Sequence, residues 1–268
     1  MLLRLSFAFL LTMTALVPRQ ARAAVNIPSD SFEIAPEVYW YQYREPSFAK
    51  LEGLAFGLNG TYTYKWSQFF FKANAIASYG DLNYASNGTG STNGINAYMA
   101  DFRPLFGGDI KLSKTTTLSP FTGLGYRVLF DGNGEQITTA GAIGYDRRSQ
   151  YLYLPLGVSL TTKLWGWQIV PTGEFDYLIH GWQTSYLSDV GFDNNLGNDQ
   201  NFGYGLRASL MFEPDWNFHH FSFGPFLRYW YVHASDPSTL YLDGVAVGSG
   251  YEPTNTTLET GVRGTFKF

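Results

Sequence analysis

The chain has 268 residues, no cysteine, and 18 basic against 22 acidic side chains. That acidic balance argues against a nucleic-acid-binding face, and the lack of cysteine excludes a disulfide framework. Aromatic residues at 18% beside 29 glycines fit neither a soluble α/β enzyme nor a helical membrane protein; they fit strands whose ring-rich face alternates with a glycine-rich, charged one.

Residues 1–23 read as a cleavable export signal. Arg4 lies in a short basic segment, an apolar run extends from Leu5 to Val17, and Ala21-Arg22-Ala23 supplies a small-residue cleavage site. The run is too short to span a bilayer as a helix, and nothing after Ala24 approaches about 18 consecutive apolar residues. Losing Arg4, Arg19 and Arg22 makes the remaining chain still more acidic. Residues 24–268 are expected to form one domain, because the stretch before the first strand is too short for a plug or a peptidoglycan-binding module.

Ten segments alternate strictly enough to be strands that cross a membrane. The first, 32–44, sets Val38 and Trp40 against Glu37, Tyr39, Tyr41 and Tyr43. In 52–64, Leu54, Phe56 and Leu58 oppose Gly53, Ala55 and Gly57; in 69–80, Phe71 and Tyr79 oppose Lys72, Asn74 and Ser78. The segment 98–112 places Phe102 and Phe106 opposite Asp101, Arg103 and Asp109, and 118–130 places Tyr126 and Val128 opposite Gly123, Gly125 and Arg127. The same dyad continues through 151–162, 168–180, 202–212 and 221–231, whose polar faces carry Tyr151 and Tyr153, then Glu174, Asp176 and His180, then Arg207, then Arg228 and Trp230.

Connections alternate between tight (65–68, 113–117, 163–167, 213–220) and long (81–97, 131–150, 183–201, 234–256). In barrels of this kind the tight turns are periplasmic and the long loops extracellular. Trp66, Trp165, Trp167 and Trp216 all fall at the tight turns, where an indole suits the headgroup level.

The last segment, 258–268, puts Leu258, Thr260, Val262, Gly264, Phe266 and Phe268 on one face and Glu259, Gly261, Arg263, Thr265 and Lys267 on the other. It resembles the closing strand of bacterial outer-membrane β-barrels, with Phe266 and Phe268 as an assembly signal. The expected fold is all-β: a transmembrane antiparallel up-and-down barrel of ten strands, both termini periplasmic, in the outer membrane. The resemblance implies contact with outer-membrane lipid and lipopolysaccharide and, during biogenesis, with the barrel-assembly machinery. No cofactor and no metal is expected, and the sequence names no extracellular partner.

Any chemistry would have to lie in the lumen. Its inward charges are Glu37, Asp101, Glu174, Asp176 and Glu259 against Lys72, Arg103, Arg127, Arg207, Arg228 and Arg263. In so narrow a barrel these can pair across the interior and plug it, which implies a structural or surface-interaction role. The many inward glycines keep open the alternative of a narrow porin-like channel.

A second alternative is lipid hydrolysis. His233-Ala234-Ser235 resembles the dyad of outer-membrane phospholipase A and lipid A deacylases, in which an outward His is the base for Ser. Continued alternation would aim both side chains at lipid. The orienting residue of those families falls here in Gly244-Val245-Ala246-Val247, with Asp243 and Glu252 near but not matching. Glu174, Asp176 and His180 offer a weaker likeness to the omptin proteases, without their paired aspartates. Asp131-Gly132-Asn133-Gly134-Glu135 begins like a calcium loop but has Ala142 at the twelfth position, so it reads as a glycine turn.

Overall fold

The computed structural model of the protein describes residues 29–134, 136–215 and 220–268. The export signal and Trp216 lie outside the described residues. The chain order is β1 (Ser29–Glu45), β2 (Ala49–Trp66), β3 (Phe69–Ser86), β4 (Gly90–Gly108), β5 (Ile110–Lys111), β6 (Thr116–Gly123), β7 (Gly125–Gly132), β8 (Arg147–Leu164), β9 (Trp167–Ser185), a 3-10 turn (Leu187–Val190), β10 (Leu196–Gln200), β11 (Gly203–Pro214), β12 (Phe221–Val232), β13 (Ser238–Leu242), β14 (Val245–Gly250) and β15 (Asn255–Lys267).

Among the described residues these close into a ten-stranded antiparallel barrel, in which β4 with β5, β6 with β7, and β10 with β11 each make one crossing and β13 and β14 stand apart. β15 pairs with β1 from Glu33↔Lys267 to Arg44↔Thr256. Phe268 completes that seam: its N–H donates to Phe32 O at 2.8 Å and its carbonyl accepts from Phe32 N–H at 3.1 Å. The break between β6 and β7 has a covalent cause. Leu124 N–H donates to Pro104 O at 3.1 Å, but proline has no N–H to return the bond.

Alternation sorts the side chains radially. Phe56 is 58% exposed while its neighbour Ala55 is buried, and Trp40, Leu58, Phe102, Leu156, Phe175, Leu206 and Val262 share the outer face. A continuous apolar exterior of this kind is stable only against hydrocarbon. Rings line the turn end of the belt, with Phe71 and Phe106 at 5.0 Å and Phe221 and Phe266 at 5.0 Å between centroids. Trp165 is fully outside at that end.

The strands are taller than the alternating segments alone suggest. β3 has 18 residues and β4 has 19, where about 9–11 suffice to cross hydrocarbon. The expected long loop at 81–97 is instead the top of this hairpin, closed by a turn at 87–89. Leu82 and Ile95 face each other across it, both fully buried, so alternation persists through a stretch whose Asn, Ser and Gly content mimics a loop. The 234–256 connection likewise contains the β13–β14 hairpin, which stands apart from the barrel sheet.

A bulge resets one strand. Leu152 pairs with His180 but Tyr153 pairs with Leu178, leaving Ile179 as the extra residue. His180 therefore moves from the expected lumen face to the exterior, edge-on to Trp182 at 4.5 Å.

Candidate functional site: the barrel lumen

The middle of the lumen is a layer of charge. Arg207 on β11 reaches Asp101 on β4 at 2.8 Å and Asp176 on β9 at 2.6 Å. Tyr153 joins them, its hydroxyl donating to Asp101 at 2.6 Å and accepting from Arg207 at 2.7 Å. Arg228 on β12 binds Glu37 on β1 at 2.8 Å and Glu259 on β15. Glu259 also takes Arg127 of β7 from across the barrel. Arg103 donates to Glu174 at 2.6 Å and to Asn74 Oδ1 at 2.6 and 3.1 Å. Arg263 is the outlier, with only 3.5 Å contacts to Glu37 and to Met211 Sδ.

Tyr153 was not among the expected network residues, although its geometry follows from the sequence. A Cβ at Gly125 would lie 2.1 Å from the Tyr153 ring, so only glycine there lets the ring lie flat on the wall and present its hydroxyl to Asp101. Phe121 covers Gly157 in the same way.

Toward the loop end, the lumen fills with Tyr39, Tyr41, Tyr151, Phe226 and Trp230, packed with Leu82, Ile95, Met99, Leu129, Leu178 and Val232. Trp230 stacks on Tyr151 at 5.6 Å and meets Tyr153 edge-on at 5.1 Å. Two small cavities in and beside this layer, of about 30 and 10 Å³, have room for one or two waters.

A cap closes the loop end. Arg147 at the start of β8 binds Glu45 at the top of β1 at 2.9 Å, together with Glu252 from the loop before β15. Tyr43 Oη lies 2.6 Å from Glu252 and 2.8 Å from Glu45. With two carboxylates sharing one guanidinium, burial and the Glu45 charge push the Glu252 carboxyl up to about 7, against the pull of Arg147. No sequence pattern flagged this cluster, because its members come from segments far apart in the chain.

Among the described residues the turn end is open. A cavity of about 330 Å³ is lined by Thr61, Thr63, Lys72, Asn74, Arg263 and Thr265 among others. Lys72 makes no ion pair among the described residues; its ammonium sits 4.9 Å from the Phe70 ring centroid. The charge layer that the sequence assembles from eleven residues thus excludes this one.

The His233–Ser235 dyad is not assembled. His233 is exposed and its Nδ1 lies 3.4 Å from Ala234 O. Ser235 is buried; its hydroxyl donates to Asp236 O at 2.9 Å and accepts from Glu252 N–H at 2.8 Å. The strand ends at Val232, so the alternation that aims both side chains at lipid stops before it reaches Ser235. The omptin-like grouping is likewise dispersed: Glu174 and Asp176 are held by arginines inside, whereas His180 is outside, 3.4 Å from Asp199. Asp131 and Gly132 end β7, and the chain then turns at Gly134, whose N–H donates to Asp146 Oδ1 at 2.6 Å.

Neither a protein-family model nor a curated protein matches the sequence. Among solved structures, the outer-membrane protease OmpT from Escherichia coli superimposes with a TM-score of 0.60 at 11% identity, covering 89% of this chain and 96% of that one. The translocator domain of the autotransporter NalP from Neisseria meningitidis gives 0.41 at 13%, covering 88% of each. The toluene transporter TodX from Pseudomonas putida gives 0.34 at 10%, covering 91% and 90%. At such identities the first of these likenesses speaks to fold alone. With the closed sheet and the apolar belt, it shows that the chain has the fold of bacterial outer-membrane β-barrels, here with ten strands.

Proposed function

We propose that the protein is a closed, non-enzymatic outer-membrane barrel that acts structurally and as a surface-interaction scaffold. Residues 1–23 are removed on export, the turn end and both termini lie in the periplasm, and the tall loop-end hairpins face outward. Phe266 and Phe268 serve the assembly machinery, and lipid and lipopolysaccharide surround the belt.

The observation that carries this reading is the seal at the centre: Arg127 is 0% and Trp230 1% exposed in a lumen that would have to be wet to conduct. The surface role is supported by the β13–β14 hairpin, where Val245 is 63% and Val247 51% exposed. Apolar side chains held above the membrane mark a contact surface.

The cysteine-free sequence makes the topology directly measurable. Gly248→Cys on the hairpin should react with a membrane-impermeant maleimide on intact cells, whereas Gly166→Cys at a tight turn should react only after the outer membrane is opened. In parallel, vesicles carrying the barrel should not swell in arabinose. Reversed labelling, or swelling at porin-like rates, would replace this reading with an inverted or a channel protein.

A further inference from the structure

We infer that the turn-end cavity is a binding site for a small solute carrying phosphate or carboxylate groups. The inference goes beyond the closed-barrel reading, and binding can be measured whether or not the layers above conduct.

Charges on the cavity wall are unevenly matched. Three of its cations have a carboxylate: Lys65 with Asp109 at 2.8 Å, Arg103 with Glu174 at 2.6 Å and Lys267 with Glu33 at 3.7 Å. The remaining acid there, Glu213, accepts from Gln168 at 2.7 Å and lies 3.5 Å from His220. Among the described residues two cations are left over. Lys72 rests on the Phe70 ring, and Arg263 shares Glu37, which Arg228 already holds at 2.8 Å, through a 3.5 Å contact.

A cation withdrawn into a barrel without a counter-charge is costly, and an anion that reaches it recovers that cost. The low-dielectric walls focus the field of both cations into the cavity. The same wall carries the hydroxyls of Thr63, Ser222 and Thr265, donors for an anion's remaining oxygens. The volume of about 330 Å³ admits a solute larger than a bare ion. The closed layer above makes the cavity a dead end entered from the turn side.

The test is calorimetric titration of the folded, detergent-solubilised barrel with inorganic phosphate, succinate and, as an uncharged probe, glycerol. Phosphate, succinate or both should give saturable heat, the stronger of the two naming the acid class, and glycerol should give none. Lys72→Gln should weaken anion binding by about tenfold or more, the scale of one lost charge-assisted hydrogen bond. Arg263→Gln should do the same, with Arg263→Lys retaining most of the affinity. Lys50→Gln on the outer surface should change nothing. Circular dichroism confirms folding, which Lys72→Gln should not disturb because Lys72 holds no ion pair. Absence of anion binding by the wild-type barrel, equal binding by Lys72→Gln, or equal heat from glycerol would overturn the proposal.

Discussion

Replacing Glu259 with Gln tests whether the central layer is dry. Arg127 is fully buried; among the described residues Glu259 is the one carboxylate it pairs with, and its Nε and Nη1 have no hydrogen-bond partner. In Glu259→Gln the guanidinium would lose its ion pair and keep an uncharged amide acceptor, the Trp230 ring 6.0 Å away and the more distant charge of its register partner Asp101, while Arg228 would retain Glu37 at 2.8 Å. Breaking a buried pair by removing one partner costs about 3–5 kcal/mol, because the surviving charge stays desolvated without its paired counter-charge. The accompanying change Arg127→Met removes that charge, so the double variant should return to within about 1–2 kcal/mol of wild type. Equilibrium urea unfolding in phospholipid vesicles, followed by tryptophan fluorescence, reads both. A single-variant loss under about 1 kcal/mol would mean that water already solvates Arg127, and the reasoning would fail.

Ser235→Ala removes the acceptor for Glu252 N–H and should destabilise the loop base by about 1 kcal/mol, with no change in any phospholipid or lipid A hydrolysis; loss of such activity with the barrel intact would instead restore the lipid-hydrolase reading. The Glu252 carboxyl, held near 7 rather than 4.5, keeps its proton in the native state at pH values where the unfolded chain has lost it. Its contribution is thus fully present below about 4.5 and lost as pH rises through 7. Hydrogen exchange at residues 252–255, corrected for intrinsic rate, should show protection falling between pH 6 and 8, and Glu252→Gln should abolish the trend; rising protection would contradict the assignment. Deleting Phe268 removes both hydrogen bonds to Phe32 and should slow closure of the β1–β15 seam, seen as accumulation of unfolded chain on semi-native gels, while wild-type rates would exclude a role for this residue in assembly.

The barrel was legible because radial sorting is a local property: Glu37 and Tyr39 face in and Trp40 faces out whatever the rest of the chain does. Strand number and seam followed from the same alternation. Strand height did not, since the Leu82↔Ile95 pair is embedded in residues that by composition belong to a loop. His180 shows the limit of a period-two rule, because one extra residue at Ile179 reverses the faces of the residues that follow it to the end of β9. Partners within the lumen were the least legible. Arg127 meets Glu259 across the barrel, Arg147 meets Glu252 from a loop, and Lys72 meets a ring rather than a carboxylate; each outcome depends on how strands stagger around the closed sheet.

The account rests most heavily on the lumen being sealed, and single-channel recording in planar bilayers addresses that directly. The purified barrel in 1 M KCl should give no stable current steps, and the double variant Tyr151→Gly with Trp230→Gly, which deletes the ring stack above Arg127 and Arg207, should give small ones. Steady ohmic conductance from the wild-type barrel would contradict the closed-lumen account.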